Sequence, residues 1–373
     1  MKVSIGDTKR EMWFITAPDV PFVGHNRGDL WLPTLLMVAM RRGERLRLAD
    51  PISAGRQADL RKVQDIFAAW YPKRMTRVKI VAPPAEPPPE PERQGLLRRR
   101  RTPTDDRVSG TCFTGGVDSF NTLVKHKKTL GALVYGLGID IPIRESEATE
   151  RVGRQLTAIA EESGTRLLTA ETNLRAFVGR NQVSWGFEGH GAVLASLGTL
   201  FSPVISKLYI PSTHSYAVPF PWGSHPLVDS LWSTRRLKVE HDGAESSRVG
   251  KIKRIADDAT AQHNLRVCYK DFAETNCGRC MKCMRTMATL TLLERLDRFV
   301  TFTAPLDVDH FRSQVLKTEN DIFQIRDAYE FATEVPGHDD IREALASLIA
   351  GYQEREAAGV AGWQPGDPVD DVT

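Results

Sequence analysis

The sequence predicts an α/β protein built on a doubly wound parallel sheet, with a small N-terminal α/β lobe and a helical C-terminal part. Three observations carry this. From residue 108 onward, strand-like apolar runs alternate with helix-periodic segments, the pattern of parallel strands joined by crossover helices. An apolar strand runs into Thr114-Gly115-Gly116-Val117-Asp118-Ser119 and then into an amphipathic segment. Four of the five cysteines fall between residues 268 and 283. With 373 residues and 41% hydrophobic content, the chain buries a substantial core as one large domain or two of ordinary size. A net charge of +3 creates no overall field favouring nucleic acid or an acidic membrane. The N-terminus has no apolar h-region, and the chain has no run of about twenty apolar residues, so a cytoplasmic location without a membrane partner is expected.

In order along the chain, residues 12–16 read as a strand and 30–40 as a buried helix. Leu60, Val63, Phe67 and Trp70 recur at helical spacing, and Val78 and Ile80 alternate as in a strand, so residues 1–82 form the N-terminal lobe. Repeated prolines mark 83–107 as a linker, and its run Arg98 to Arg101 reads as a solvated charge cluster. The core domain is expected at 108–265. Its strands are read at 108–113, 132–139, 166–169 and 207–211, and its helices from about 118, near 150–162 and at 191–201. A cysteine knuckle and its following helix occupy 266–300, helices occupy 301–361, and 362–373 is a frayed tail.

The glycines of the loop at 114–119 let the backbone turn tightly and approach an anion, while the open N–H groups of the following helix favour phosphate. Gly115 and Gly116 supply room and Ser119 a hydroxyl. An ordinary helix start, with Asp118 and Ser119 as caps, is the competing reading. The loop matches neither G-x-x-x-x-G-K-[ST] nor G-x-G-x-x-G. It resembles the S-G-G-x-D-S signature of the PP-loop ATP pyrophosphatase superfamily, of the adenine nucleotide alpha hydrolase-like fold, with Thr114 in place of the first serine. The resemblance implies ATP held by Thr114, Gly115, Gly116, Val117, Asp118 and Ser119, with the β- and γ-phosphates leaving as pyrophosphate and Asp118 positioning Mg2+. It also implies that the strand ending at Gly138-Ile139-Asp140 lines the adenine, although its glycines fit close packing equally well.

Cys268, Cys277, Cys280 and Cys283 form C-x(8)-C-x(2)-C-x(2)-C, which suits a closed tetrahedral Zn2+ site, with Gly278 easing the turn. A redox C-x-x-C pair and an iron–sulfur cluster are the rivals. A phosphate loop followed by four cysteines is similar to the 7-cyano-7-deazaguanine synthase (QueC) family over about residues 108–296. The resemblance implies adenylation of a 7-deazaguanine-type carboxylic acid and displacement of AMP by ammonia. Some relatives serve antiphage defence, and some modify a protein partner. The N-terminal lobe, the linker and the C-terminal helices are additions to that pattern and leave the substrate open.

Further polar groups follow the expected strands. Arg175 suits a bidentate grip on carboxylate or phosphate, or is a surface arginine after an Asn-led turn. Trp185 and His190 frame a planar base, or pack in the core. His214, His225 and Asp229 lie in polar loops that suit substrate binding or proton transfer, or serve as hydrogen-bonded scaffold. Arg248 and Lys251 face the phosphates together, or lie on a solvated helix face. The favoured function is therefore ATP-dependent C–N ligation, with Asp118, Ser119 and Lys251 as its catalytic residues. The alternatives are RNA thiolation, which needs a reactive cysteine beyond the cluster and has only Cys112, and a non-catalytic nucleotide-binding module. A deazapurine-like acid and an acceptor protein are the expected partners, a homodimer stays open, and RNA is disfavoured.

Overall fold

The computed structural model describes residues 1–21, 23–86, 105–268 and 275–360; the arginine run and the 362–373 tail lie outside them. The chain opens with an antiparallel pair, β1 (Lys2–Ile5) and β2 (Thr8–Glu11), followed by β3 (Phe14–Thr16). Next come α1 (Gly28–Arg42), β4 (Leu46–Arg47), α2 (Gln57–Trp70) and β5 (Ile80–Val81), with β4 and β5 pairing in parallel. The spacing of Leu60, Val63 and Phe67 sets the buried face of α2, as its helical period requires.

The main domain then runs β6 (Val108–Cys112), α3 (Val117–Lys125), β7 (Leu130–Leu137), α4 (Ser146–Glu162), β8 (Arg166–Thr172), α5 (Leu174–Arg180), α6 (His190–Leu200), β9 (Ile205–Pro211) and β10 (Lys238–Asp242). After it come α7 (Arg248–Ile255), α8 (Ala259–Asn264) and α9 (Met281–Leu292), and then α10 (Val308–Arg312), α11 (Glu319–Glu334) and α12 (Asp339–Ala357).

Six strands form one sheet in the order β10-β9-β6-β7-β8-β3. The pairs from β10 to β8 are parallel, and β3 joins antiparallel with Ile15 opposite Glu171. The sheet is thus mixed, because the N-terminal lobe lends its strand to the edge. The lobe also shares a core with the main domain: α1 packs on α6, where the buried hydroxyls of Thr34 and Ser196 lie 2.9 Å apart.

Side chains alternating along β7 divide the two faces of the sheet, as strand geometry demands. Ala132 and Val134 join the core under α1, α5 and α6, while Leu133 and Tyr135 join the one under α3 and α4. The C-terminal helices gather a third apolar cluster around Phe311, Ile325 and Leu345.

The order of the parallel strands places the reversal of winding at β6, which has β7 on one side and β9 on the other. Open α/β sheets bind ligands outside the carboxyl ends of the strands at such a point. The segments leaving β6 and β9 there are Phe113 to Gly116 and Ser212 to His214.

Candidate functional site

At the end of β6, Gly115 takes φ +79°, a left-handed conformation that strains any residue with a Cβ. Gly116 is different. It has φ −85° and ψ 170°, and a Cβ built there meets nothing closer than the Arg266 carbonyl at 3.7 Å. The fold itself therefore tolerates a side chain at 116, and glycine there leaves the backbone open to close approach from outside. Gly116 is the N-cap of α3, and no side chain caps that helix, so its first N–H groups face outward. The Ser119 hydroxyl donates to the Gly116 carbonyl at 3.0 Å.

Asp118, in the first turn of α3, is held by two cations. Arg248 Nη1 donates to Oδ2 at 2.9 Å and Lys251 Nζ to Oδ1 at 3.1 Å. Lys251 is 1% exposed and also donates to the Ser212 carbonyl. These two cations lie three residues apart on α7, one face of one turn. The Ser247 hydroxyl caps that helix by accepting from Gly250 N–H, and Asp327 of α11 accepts from Val249 N–H. Burial works against ionisation of Asp118, but Lys251 and Arg248 outweigh it and hold the carboxyl below its usual range. Both Asp118 oxygens thus face a cation, while the side chain stays 26% exposed.

Positive charge continues into α9. Arg285 is 7% exposed, 3.8 Å from Asp321, and its Nε has no partner among the described residues. Burial and the neighbouring Arg248 lower its pKa to about 10. Crowded buried guanidinium groups of this kind favour an anion between them.

An aromatic wall adjoins this charge. Trp222 meets His190 at 5.7 Å and His214 at 5.6 Å, and Phe220 meets His214 at 5.5 Å. Burial drives both histidines down to about 4, so both rings are neutral at pH 7. His190 Nδ1 lies 3.1 Å from the Gly186 carbonyl, which makes that nitrogen the donor, and His214 Nε2 is buried without a partner among the described residues. Arg175 lies 4.8 Å over the Trp185 ring and donates to the Ile139 carbonyl at 2.6 Å. At Gly138 a Cβ would come within 2.2 Å of the Thr172 carbonyl, so close packing against β8 demands that glycine.

His225 and Asp229 sit deeper. Asp229 is fully buried, lies 2.7 Å from His241 Nδ1 and accepts from the Ser224 hydroxyl at 2.6 Å. His225 accepts from Leu227 N–H at 3.1 Å and packs edge-on to Trp70 of α2. This network shapes the loop that carries Trp222.

The four cysteines converge. Their Sγ atoms lie within 4.8 Å of one another, with Cys280 at 3.4 Å and Cys277 at 3.8 Å from Cys283, and no disulfide joins them. Tetrahedral thiolates at about 2.3 Å from zinc stand about 3.8 Å apart, so the donor set fits a divalent metal of this kind. Cys280 N–H donates to Cys277 Sγ at 3.3 Å, and Cys280 is the N-cap of α9, which anchors the cluster to a helix. Cys112 stands apart, buried in β6, where desolvation pushes its thiol far above the usual range.

The chain thus belongs to a definable class: an α/β protein with a four-cysteine metal-binding cluster and a glycine loop at the switch point of its sheet. Comparison with protein families, curated proteins and solved structures finds no match. Among the described residues no helix is long and apolar enough to cross a membrane. Sequence reasoning missed Arg266, Asn276, Arg285, Phe220 and Trp222. Only Trp222 carried a local signal, an indole in the Pro- and Gly-rich stretch between His214 and His225.

Proposed function

We propose that this chain is a QueC-like adenylating enzyme: it splits ATP into AMP and pyrophosphate and activates a carboxylate of a 7-deazaguanine-type purine for attack by a nitrogen nucleophile, either ammonia or an amine of a partner protein. The observation that carries the reading is a glycine at 116 that the fold does not require, together with the buried cations Lys251 and Arg285 and the half-buried Arg248. Together they suit a polyphosphate at the head of α3.

In this mechanism a carboxylate oxygen attacks the α-phosphorus. The new O–P bond forms as the bond to the β-phosphate oxygen breaks, and pyrophosphate leaves with the electron pair. The nitrogen nucleophile then attacks the acyl carbon, the C–O bond to AMP breaks, and a proton leaves the nitrogen. His214, neutral and with an open Nε2, is the candidate acceptor. Arg248 and Lys251 neutralise the leaving charge as they turn from Asp118 to phosphate. The rings of Trp222, Phe220 and His190 offer flat surfaces to a purine. Cys268, Cys277, Cys280 and Cys283 would hold zinc, which supplies a structural cross-link in a closed all-thiolate site.

Incubation with ATP, Mg2+, ammonia and a panel of deazapurine acids should yield AMP, pyrophosphate and a product lighter in charge by one carboxylate, read by mass spectrometry. Ser119→Ala should lower the rate by roughly a hundredfold. Full AMP formation in that variant would remove the loop from the mechanism. RNA thiolation is the weaker reading, because the thiol outside the cluster is buried and held protonated. A binding module without turnover would show ATP binding and no AMP with every acid.

A further inference from the structure

The cysteine cluster and the phosphate loop are joined by one short piece of chain. Arg266, two residues before Cys268, is 3% exposed and lies against the loop. Its backbone N–H donates to the Gly115 carbonyl at 2.8 Å, and its Nη2 donates to the Thr114 carbonyl at 2.9 Å. A Cβ on Gly115 would stand 3.7 Å from Arg266 Cβ, so the segment covers the loop at van der Waals distance.

The other side of the segment is gripped by Asn276, which precedes Cys277 and is 4% exposed. Its Oδ1 accepts from Val267 N–H at 2.9 Å and Cys268 N–H at 3.1 Å. Its Nδ2 donates to the Leu265 carbonyl at 2.9 Å and to the Thr301 hydroxyl at 3.0 Å. Three of the four hydrogen bonds of that amide hold residues 265–268 beside the second cysteine arm, and the fourth goes to Thr301.

We propose that metal bound by the four cysteines sets the shape of the phosphate loop through Arg266, so that the order of residues 114–119 depends on metal occupancy. Arg266 and Asn276 are positioning residues. The physical reason is the shortness of the lever. The shared ion ties Cys268 to Cys277, Cys280 and Cys283, and Arg266 lies two residues, about 7 Å of extended chain, from that tie. Two consecutive glycines give the loop little stiffness of its own, so the carbonyls of Thr114 and Gly115 stay aimed only while Arg266 holds them. A further consequence, that metal occupancy controls nucleotide affinity, rests on the ATP reading above.

The test uses the full-length, zinc-loaded protein. Hydrogen exchange over residues 113–119 is compared in wild type, in wild type after chelation, and in loaded Arg266→Met and Arg266→Lys, alongside zinc content and ATP titration. Loss of the Arg266 bond should raise loop exchange by roughly tenfold in Arg266→Met with one zinc retained, and chelation should do the same while β8 and α4 stay protected. Arg266→Lys keeps a donor for the Thr114 carbonyl and should recover most of the protection. Wild-type exchange in Arg266→Met, or a rise spread evenly over the sheet after chelation, would overturn the proposal. A loop that loosens as stated in a protein that never binds ATP would sink the ATP reading and leave the coupling intact. ATP affinity unchanged despite a loosened loop would sink the affinity consequence alone.

Discussion

Asp118→Asn separates the structural and functional meanings of the loop. In the folded protein this carboxylate compensates Lys251, 1% exposed, and Arg248, whose side chain is 12% exposed. The amide removes the negative charge and keeps the shape, leaving two neighbouring cations with one neutral acceptor. Breaking a fully buried pair this way costs about 3–5 kcal/mol. Asp118 is itself 26% exposed, so water recovers part of that and the expected loss is about 2–3 kcal/mol. The assay is urea unfolding at pH 7, followed by the same measurement at falling pH. The folded-state pKa of Asp118 is depressed, so its contribution is complete above the unfolded value of about 3.9 and is lost as pH falls through the folded value. The gap between wild type and variant should therefore be constant from pH 7 to 5 and close below pH 4. A gap under about 0.5 kcal/mol at pH 7 would refute the claim that this carboxylate holds the cations. A normal gap with undiminished AMP formation would leave Asp118 structural and remove it from the chemistry.

Four other outcomes follow from the geometry. The protein as purified should carry one zinc per chain by elemental analysis, and Cys283→Ser, at the most buried of the four sulfurs' positions, should lose it. Cys112→Ser should keep the rate of AMP formation within about twofold, because a buried, protonated thiol carries no sulfur; an activity that depends on Cys112 would revive thiolation. Glu188→Gln should cost about 1–3 kcal/mol in urea unfolding without touching ATP affinity, since Glu188 is fully buried and accepts from Arg74 Nε at 2.7 Å and Ser184 N–H at 2.8 Å, while Arg74, 18% exposed, keeps part of its hydration. His190 and His214 are kept neutral down to about 4 in the fold, whereas the unfolded chain protonates them near 6.5. Stability should accordingly fall as pH drops from 6.5 toward 4, and the double variant His190→Asn, His214→Asn should flatten that slope in urea midpoints.

Much of the fold was legible because local periodicity is a local property. The helix of Leu60, Val63 and Phe67, the strand–glycine–helix junction at 108–125 and the strand at 207–211 emerge where their patterns stand. The strand at Lys238–Asp242 escaped notice because Lys-Val-Glu-His-Asp carries one apolar residue, and pairing with β9 stabilises it instead. The strand expected around 78–80 is the two-residue Ile80–Val81 for a related reason: among the described residues it pairs with Leu46–Arg47 alone. The β3 strand was foreseen, but its place at the edge of the main sheet depends on a partner far away in sequence, Ala170–Thr172.

The site divides in the same way. Residue type and spacing alone pointed to a helix opened by Gly115 and Gly116 and to Cys268, Cys277, Cys280 and Cys283 as one donor set, because short chain separations keep these residues near one another. Tertiary structure alone decided which charges meet. Asp118 faces Arg248 and Lys251 across more than a hundred residues, and Arg266 reaches back to Thr114. It also decided that Asp229 braces His241 while His214 joins the aromatic wall, although both residues lie in similar polar loops. Coulomb energy and desolvation depend on distance and burial, and neither is a property of a residue's neighbours in sequence.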